Sequence, residues 1–198
     1  MRPVPFLAGP IYALIFWCAL ASWILPEVIA LRLKRATGSA ELQDKGSLTL
    51  IAVLWWSGIA LEFSLSFRLP QAAILWERTS IFFAGICLML LGIVLRWYSA
   101  GILGEYFTFD IATRGGQVLI EAGPYRYVRH PSYSGALLTL LGFGFALGNW
   151  AGLVAAVFCL GAAYSYRIPI EEAALTAALG DPYKEYVRRT WRLVPFLF

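Results

Sequence analysis

His130 to Arg167 reads H-P-S-Y-S-G-A-L-L-T-L-L-G-F-G-F-A-L-G-N-W-A-G-L-V-A-A-V-F-C-L-G-A-A-Y-S-Y-R, with no charged side chain between its ends. Gly148-Asn149-Trp150 interrupts the apolar run at its middle, so the stretch predicts two membrane crossings joined by a tight turn. Both are short against the roughly 20 residues a crossing helix needs, which implies tilt or a thin bilayer. A hairpin of this kind returns its flanks to one face. Those flanks are two polar islands, G-P-Y-R-Y-V-R-H-P-S-Y-S-G at 123–135 and R-I-P-I-E-E at 167–172. A charge near hydrocarbon costs roughly 2.5 kcal/mol or more, so gathering Arg126, Arg129, Arg167, Glu171 and Glu172 there points to a ligand that uses them.

The rest of the chain has the same character. Of 198 residues, 60% are hydrophobic and only 14% charged, and the mean hydropathy is +0.68. That composition excludes an ordinary soluble domain and predicts an all-α, polytopic membrane protein. Further apolar stretches at 11–31, 48–67 and 80–101 join those at 133–148 and 150–166 to give about five transmembrane helices. Arg2 before the first stretch resembles a signal peptide, but no small-x-small site follows and the run continues through Pro26 and Glu27, so it reads as a retained span. Cys18, Cys87 and Cys159 each fall in an apolar run, where a buried small hydrophobe is expected rather than a disulfide.

The net charge of +4 is explained by topology rather than by nucleic-acid binding. In a five-span arrangement thirteen of the 16 Lys and Arg fall on one side, leaving Arg2, Arg68 and Arg78 on the other. The positive-inside rule then puts the N-terminus outside and the C-terminus and both islands in the cytoplasm; in a prokaryotic source the membrane would be the inner or plasma membrane.

No repeat or linker divides residues 1–198, which read as one domain. Residues 32–47 form a polar loop, 68–79 an external connection, and 102–132 a connection long enough to suggest function. Pro131 suits the first turn of the fourth helix, leaving the amides of Ser132, Tyr133 and Ser134 free for an anion. Pro169 predicts a break between the fifth span and a cytoplasmic helix ending at Gly180. Asp181-Pro182 opens another short helix, with Tyr183, Tyr186, Val187 and Thr190 on one face.

His130 is the single histidine, which with cysteines confined to spans argues against a metal site. Alone, His130 suits a helix cap, Glu171-Glu172 a helix first turn, and Arg167 a juxtamembrane position. Their joint occurrence around a charge-free hairpin favours a site. Glu27 and Glu62 lie within apolar stretches without an assigned chemistry.

G-P-Y-R-Y-V-R-H-P-S-Y-S-G, R-I-P-I-E-E-A-A-L, L-G-D-P-Y-K-E-Y and a closing Pro-Phe-Leu, in that order over roughly 105–198, resemble the isoprenylcysteine carboxyl methyltransferase family and its wider relatives, the membrane phospholipid methyltransferases. The resemblance implies a bundle of membrane helices in which 1–101 shapes a lipid cavity and 102–198 is a cytoplasmic helical region holding S-adenosylmethionine. It implies donor contacts from Gln117, Val118, Leu119, Ile120, Tyr125, His130, Pro131, Ser132, Tyr133 and Glu171. Asp110 aligns with a further contact that is a polar amide in eukaryotic relatives. Arg167 takes the acceptor position, and with Glu171 it forms the implied catalytic pair.

Methyl transfer from a sulfonium fits these residues, because it needs alignment and no metal or covalent nucleophile. An acceptor carboxylate is already ionised and asks for a cation, which Arg167 supplies bidentately. Glu171 suits the donor's ammonium or ribose. The expected partners are membrane lipids and a lipophilic or prenylated acceptor. Three alternatives stay open: N-methylation of a phospholipid amine with Glu171 or Glu172 as base, an NADPH-dependent membrane reductase, and a non-enzymatic protein that binds anionic lipid through its basic loops.

Overall fold

The computed structural model describes residues 4–33, 41–42, 44, 46–113 and 118–195. Helices α1 (Pro10–Leu33), α2 (Ser47–Arg68), α3 (Arg78–Leu103) and α5 (Trp150–Leu179) are long and apolar enough to cross a membrane. Helix α4 (Pro131–Leu147) is apolar but shorter. The chain is an integral membrane protein, and the expected five crossings correspond to α1–α5. A sixth helix, α6 (Asp181–Arg189), is amphipathic and buries Tyr183 and Tyr186, with Thr190 buried just beyond it. Two-residue strands β1 (Glu41–Leu42) and β2 (Ala112–Thr113) pair antiparallel and join the first loop to the long one.

The α4–α5 turn follows its sequence. Gly148 closes α4 at φ 68°, a left-handed conformation that glycine adopts without strain. Asn149 then caps α5, its side-chain oxygen accepting the Gly152 amide at 3.1 Å while Nδ2 donates to Leu69 O at 2.9 Å.

The expected break at Pro169 is absent, since α5 continues through it to Leu179. Proline's fixed φ is helical, so the helix runs on at the cost of one N–H bond and of crowding between the ring and the carbonyl of residue 165. The neighbouring Arg167 side chain makes four hydrogen bonds.

Helix α3 meets α4 through glycines, Gly85 against Gly142 and Gly92 against Gly135. Small residues let backbones approach where apolar burial provides no drive within a bilayer. Helix α2 lies along α5 in the same manner, with Gly58 over Ala156 and Gly152 against Glu62. Trp23, Phe16, Phe82, Phe143 and Met89 fill the space between.

One expectation is corrected here. Cys18 and Cys87 are exposed on helix surfaces and only Cys159 is partly covered, consistent with apolar side chains facing lipid. Glu62, left without an assigned chemistry by the sequence, lies in the interior of the bundle on α2. It is fully buried with no partner for either oxygen among the described residues.

Candidate active site

The hairpin brings the two islands together. Glu172 accepts from Arg129 Nε at 2.9 Å and from Arg192 at 3.2 and 2.9 Å, and His130 Nε2 lies 3.3 Å from the same carboxylate. Arg129 also donates to the carbonyls of Val187 and Thr190. The segment after α6 is thereby fastened to the first island, with Arg129 and His130 amides donating to the carbonyls of Trp191 and Arg192. Glu172 and Arg129 are therefore structural.

Glu171, one residue earlier, turns elsewhere. Its carboxylate accepts the Tyr133 hydroxyl at 2.6 Å and keeps 28% of its side chain accessible, against 13% for Glu172. Tyr133 Oη in turn accepts from Arg167 Nε at 2.7 Å. The Tyr133 ring stacks between His130 and Tyr164, at centroid distances of 5.4 and 4.8 Å. Arginine, phenol and carboxylate thus form one chain across α4 and α5.

Arg167 is more heavily engaged than its position suggests. Nη1 donates to Asp44 at 3.0 Å and Ser47 at 2.9 Å, and Nη2 to Phe109 O. With Nε on Tyr133, four of its five N–H groups have partners among the described residues. Among those residues the bidentate grip expected of it is reduced to one N–H on Nη2, because Asp44 of the N-terminal half already supplies an anion.

A cavity of about 220 Å³ contains these groups. One wall is apolar, formed by Val28 and Leu31 of α1 and Leu48, Ile51, Ala52, Trp55 and Trp56 of α2. Leu119, Ile120, Tyr125, Leu175, Leu179, Tyr183 and Tyr186 also line it. Arg96, Ser132, Tyr133, Arg167 and Glu171 are among its polar groups. Burial, more than the nearby Glu171 charge, pushes the Tyr125 phenol well above its ordinary value. Burial does the same to Tyr183, whose hydroxyl has no hydrogen-bond partner among the described residues.

Of the residues expected around a donor, Val118, Leu119, Ile120, Tyr125, His130, Ser132, Tyr133 and Glu171 line this one cavity, and Asp110 joins them. Pro131 is buried at the start of α4 outside the lining. Gln117 lies outside the described residues. The amides of Tyr133 and Ser134 are not free, since both donate to His130 O at 3.0 Å. The helix start therefore offers less to an anion than its sequence suggests.

Sequence reasoning missed a second arginine. Arg96 is buried and bridged through Nε and Nη2 to Glu27 of α1, and it donates to Ser132 Oγ at 3.0 Å. An acidic residue inside the first apolar run and a basic one inside the third were the available signal. Asp44 and Ser47, in a loop read only as polar, were unremarkable by composition.

A profile described as phospholipid methyltransferase matches residues 80–181, which span α3 to α5 and both islands. A probable protein-S-isoprenylcysteine O-methyltransferase of Oryza sativa subsp. indica is 31% identical over 144 residues, covering 70% of this chain and 75% of that protein. A protein-S-isoprenylcysteine O-methyltransferase of Schizosaccharomyces pombe is 32% identical over 111 residues, 55% of this chain and 47% of that one. The solved structure of the eukaryotic intramembrane Ras methyltransferase ICMT (isoprenylcysteine carboxyl methyltransferase) superposes with a TM-score of 0.60 at 27% identity, over 74% of this chain and 52% of its own.

Proposed function

Because this chain belongs to the membrane methyltransferase family of the isoprenylcysteine O-methyltransferases and phospholipid methyltransferases, we propose that it uses S-adenosylmethionine to methylate the carboxylate of an isoprenylcysteine-like acceptor. The observation that carries this reading is one cavity lined by apolar side chains of α1 and α2, by Tyr125, Tyr183 and Tyr186, and by the partly accessible Glu171 carboxylate. An apolar wall continuous with membrane helices suits a lipid tail.

The donor fits the residues present. Leu119, Ile120 and Tyr125 offer a flat apolar surface for a purine, and the unpartnered Tyr183 hydroxyl is a buried polar atom that a ligand would satisfy. Glu171 is an anion for the donor's cationic groups. When bound, S-adenosylmethionine supplies an electrophilic methyl on a sulfonium, which the acceptor carboxylate takes by in-line displacement of the thioether. An ionised carboxylate needs no base, so the protein's task is alignment and exclusion of water, a contribution worth roughly 7–11 kcal/mol. Arg167 meets the acceptor carboxylate with its remaining N–H, and Tyr133 holds Arg167 and Glu171 at a fixed separation. Residues 1–101 frame the acceptor and 102–198 the donor. The basic cluster of Arg129, Arg189 and Arg192 at this end supports a cytoplasmic opening.

Thermal unfolding of the purified protein tests the donor, with S-adenosylhomocysteine expected to raise Tm and NADPH expected to leave it unchanged. Radiolabelled transfer to a prenylcysteine analogue beside an ethanolamine phospholipid tests the acceptor. Base-labile label on the analogue supports an ester; stable label on the lipid alone would overturn the carboxyl reading in favour of N-methylation.

The adjacent glutamates separate donor binding from stability. Glu171→Gln is expected to weaken S-adenosylhomocysteine binding by about ten- to a hundredfold with Tm little changed, a loss of one to two charge-assisted hydrogen bonds. Glu172→Gln removes the shared anion of Arg129 and Arg192 and is expected to destabilise by about 3 kcal/mol. Binding isotherms and melting curves on both variants would show whether the two effects divide this way.

A further inference from the structure

Arg167 is aimed by a residue from the half of the chain that carries no family motif. Asp44 Oδ1 accepts from Arg167 Nη1 at 3.0 Å, from Ser47 Oγ at 2.8 Å and from the Ile111 amide at 3.4 Å. Its Oδ2 accepts the Leu48 amide at 2.9 Å, capping the first turn of α2. Burial alone would raise this carboxyl, but the Leu48 amide, the Ser47 hydroxyl, the Arg167 charge and the Ile111 amide hold it below its ordinary value. It therefore faces Arg167 as an anion fixed from several sides. Ser47 is fully buried and also receives Arg167 Nη1.

The same turn reaches the cavity. Leu48 and Ile51, the next residues on this face of α2, line its apolar wall, while Asp44 and Ser47 stand behind Arg167 and do not. We propose that Asp44, assisted by Ser47, is a positioning residue that sets the direction of the Arg167 guanidinium and couples it to the acceptor-facing helix. The proposal rests on the reading of Arg167 as the acceptor's cation. A long arginine side chain has many rotamers, and only supported ones hold an N–H where a carboxylate must meet it.

Asp44→Asn separates this role from folding, because the asparagine side-chain oxygen can still accept the Leu48 amide while the negative charge is removed. The full chain in detergent or nanodiscs would be assayed with a prenylcysteine acceptor, alongside S-adenosylhomocysteine binding and Tm. Acceptor KM is expected to rise about tenfold, the loss of one charge-assisted contact, with S-adenosylhomocysteine affinity within about twofold. Asp44→Glu restores part of the loss, and Ser47→Ala gives a smaller shift in the same direction, which carries the test should Asp44→Asn fail to accumulate. If Arg167→Lys moves acceptor KM and Asp44→Asn does not, the positioning role is overturned. If S-adenosylhomocysteine affinity falls by the same factor as acceptor affinity, it is overturned also, in favour of general distortion. If neither variant moves acceptor KM, the reading of Arg167 fails with it.

Discussion

Arg167→Lys is expected to lower methyl transfer by about 10²-fold, the loss that a misplacement of about 1 Å between acceptor and donor brings, while the protein still folds and still binds S-adenosylhomocysteine. The guanidinium serves Tyr133, Asp44, Ser47 and the Phe109 carbonyl, which leaves one N–H without a partner among the described residues. A lysine ammonium has three donors on a single atom and cannot span that set. Charge is retained, so Asp44 keeps a counterion and the fold keeps its support, but the direction of the donor is lost. Arg167→Ala goes further by leaving Asp44 without its cation, and it is expected to cost stability as well as activity. Initial rates at saturating donor, with isothermal binding of S-adenosylhomocysteine on the same samples, would separate the two. A lysine variant retaining a third or more of the wild-type rate would remove Arg167 from the chemistry.

Much of this site was legible because membrane sequences make polar groups conspicuous. Arg167, Glu171 and His130 stood out against the charge-free hairpin, and the hairpin itself dictated that they meet. What stayed hidden was the partner network. Nothing in R-I-P-I-E-E says that Glu172 is fastened by Arg129 and Arg192 while Glu171 faces the cavity, since adjacent helical positions point about 100° apart and only packing decides which faces inward. Asp44 sits in a loop where aspartate is ordinary, so its link to a residue 123 positions away depends on tertiary structure. Pro169 misled for a related reason. Local propensity predicted a break, whereas proline's fixed φ is compatible with a helix and α5 runs on to Leu179. The glycines of α3 and α4 were visible, but their pairing across the interface was not.

That pairing yields an expected stability effect as large as that of Glu172→Gln. Gly142→Ala is expected to destabilise the protein by about 3 kcal/mol, at the upper end of the usual range for overpacking, because the added methyl meets backbone rather than a movable side chain. A Cβ at position 142 would lie 2.5 Å from Gly85 O and also clash with the Met89 amide, and one at Gly92 would lie 2.5 Å from Gly135 O. Helices α3 and α4 would have to part along their length. Arg96 is on α3 and Ser132 on α4, joined at 3.0 Å, so parting the helices also opens the cavity wall between donor and acceptor. Gly101→Ala provides the control, since a methyl there meets nothing within 4 Å, and alanine's helix propensity favours it by up to about 1 kcal/mol. Thermal unfolding in detergent, followed by tryptophan fluorescence, should show Gly142→Ala melting well below wild type and Gly101→Ala at or above it. Equal melting temperatures for the two variants would mean that backbone contact between α3 and α4 does not hold the bundle together.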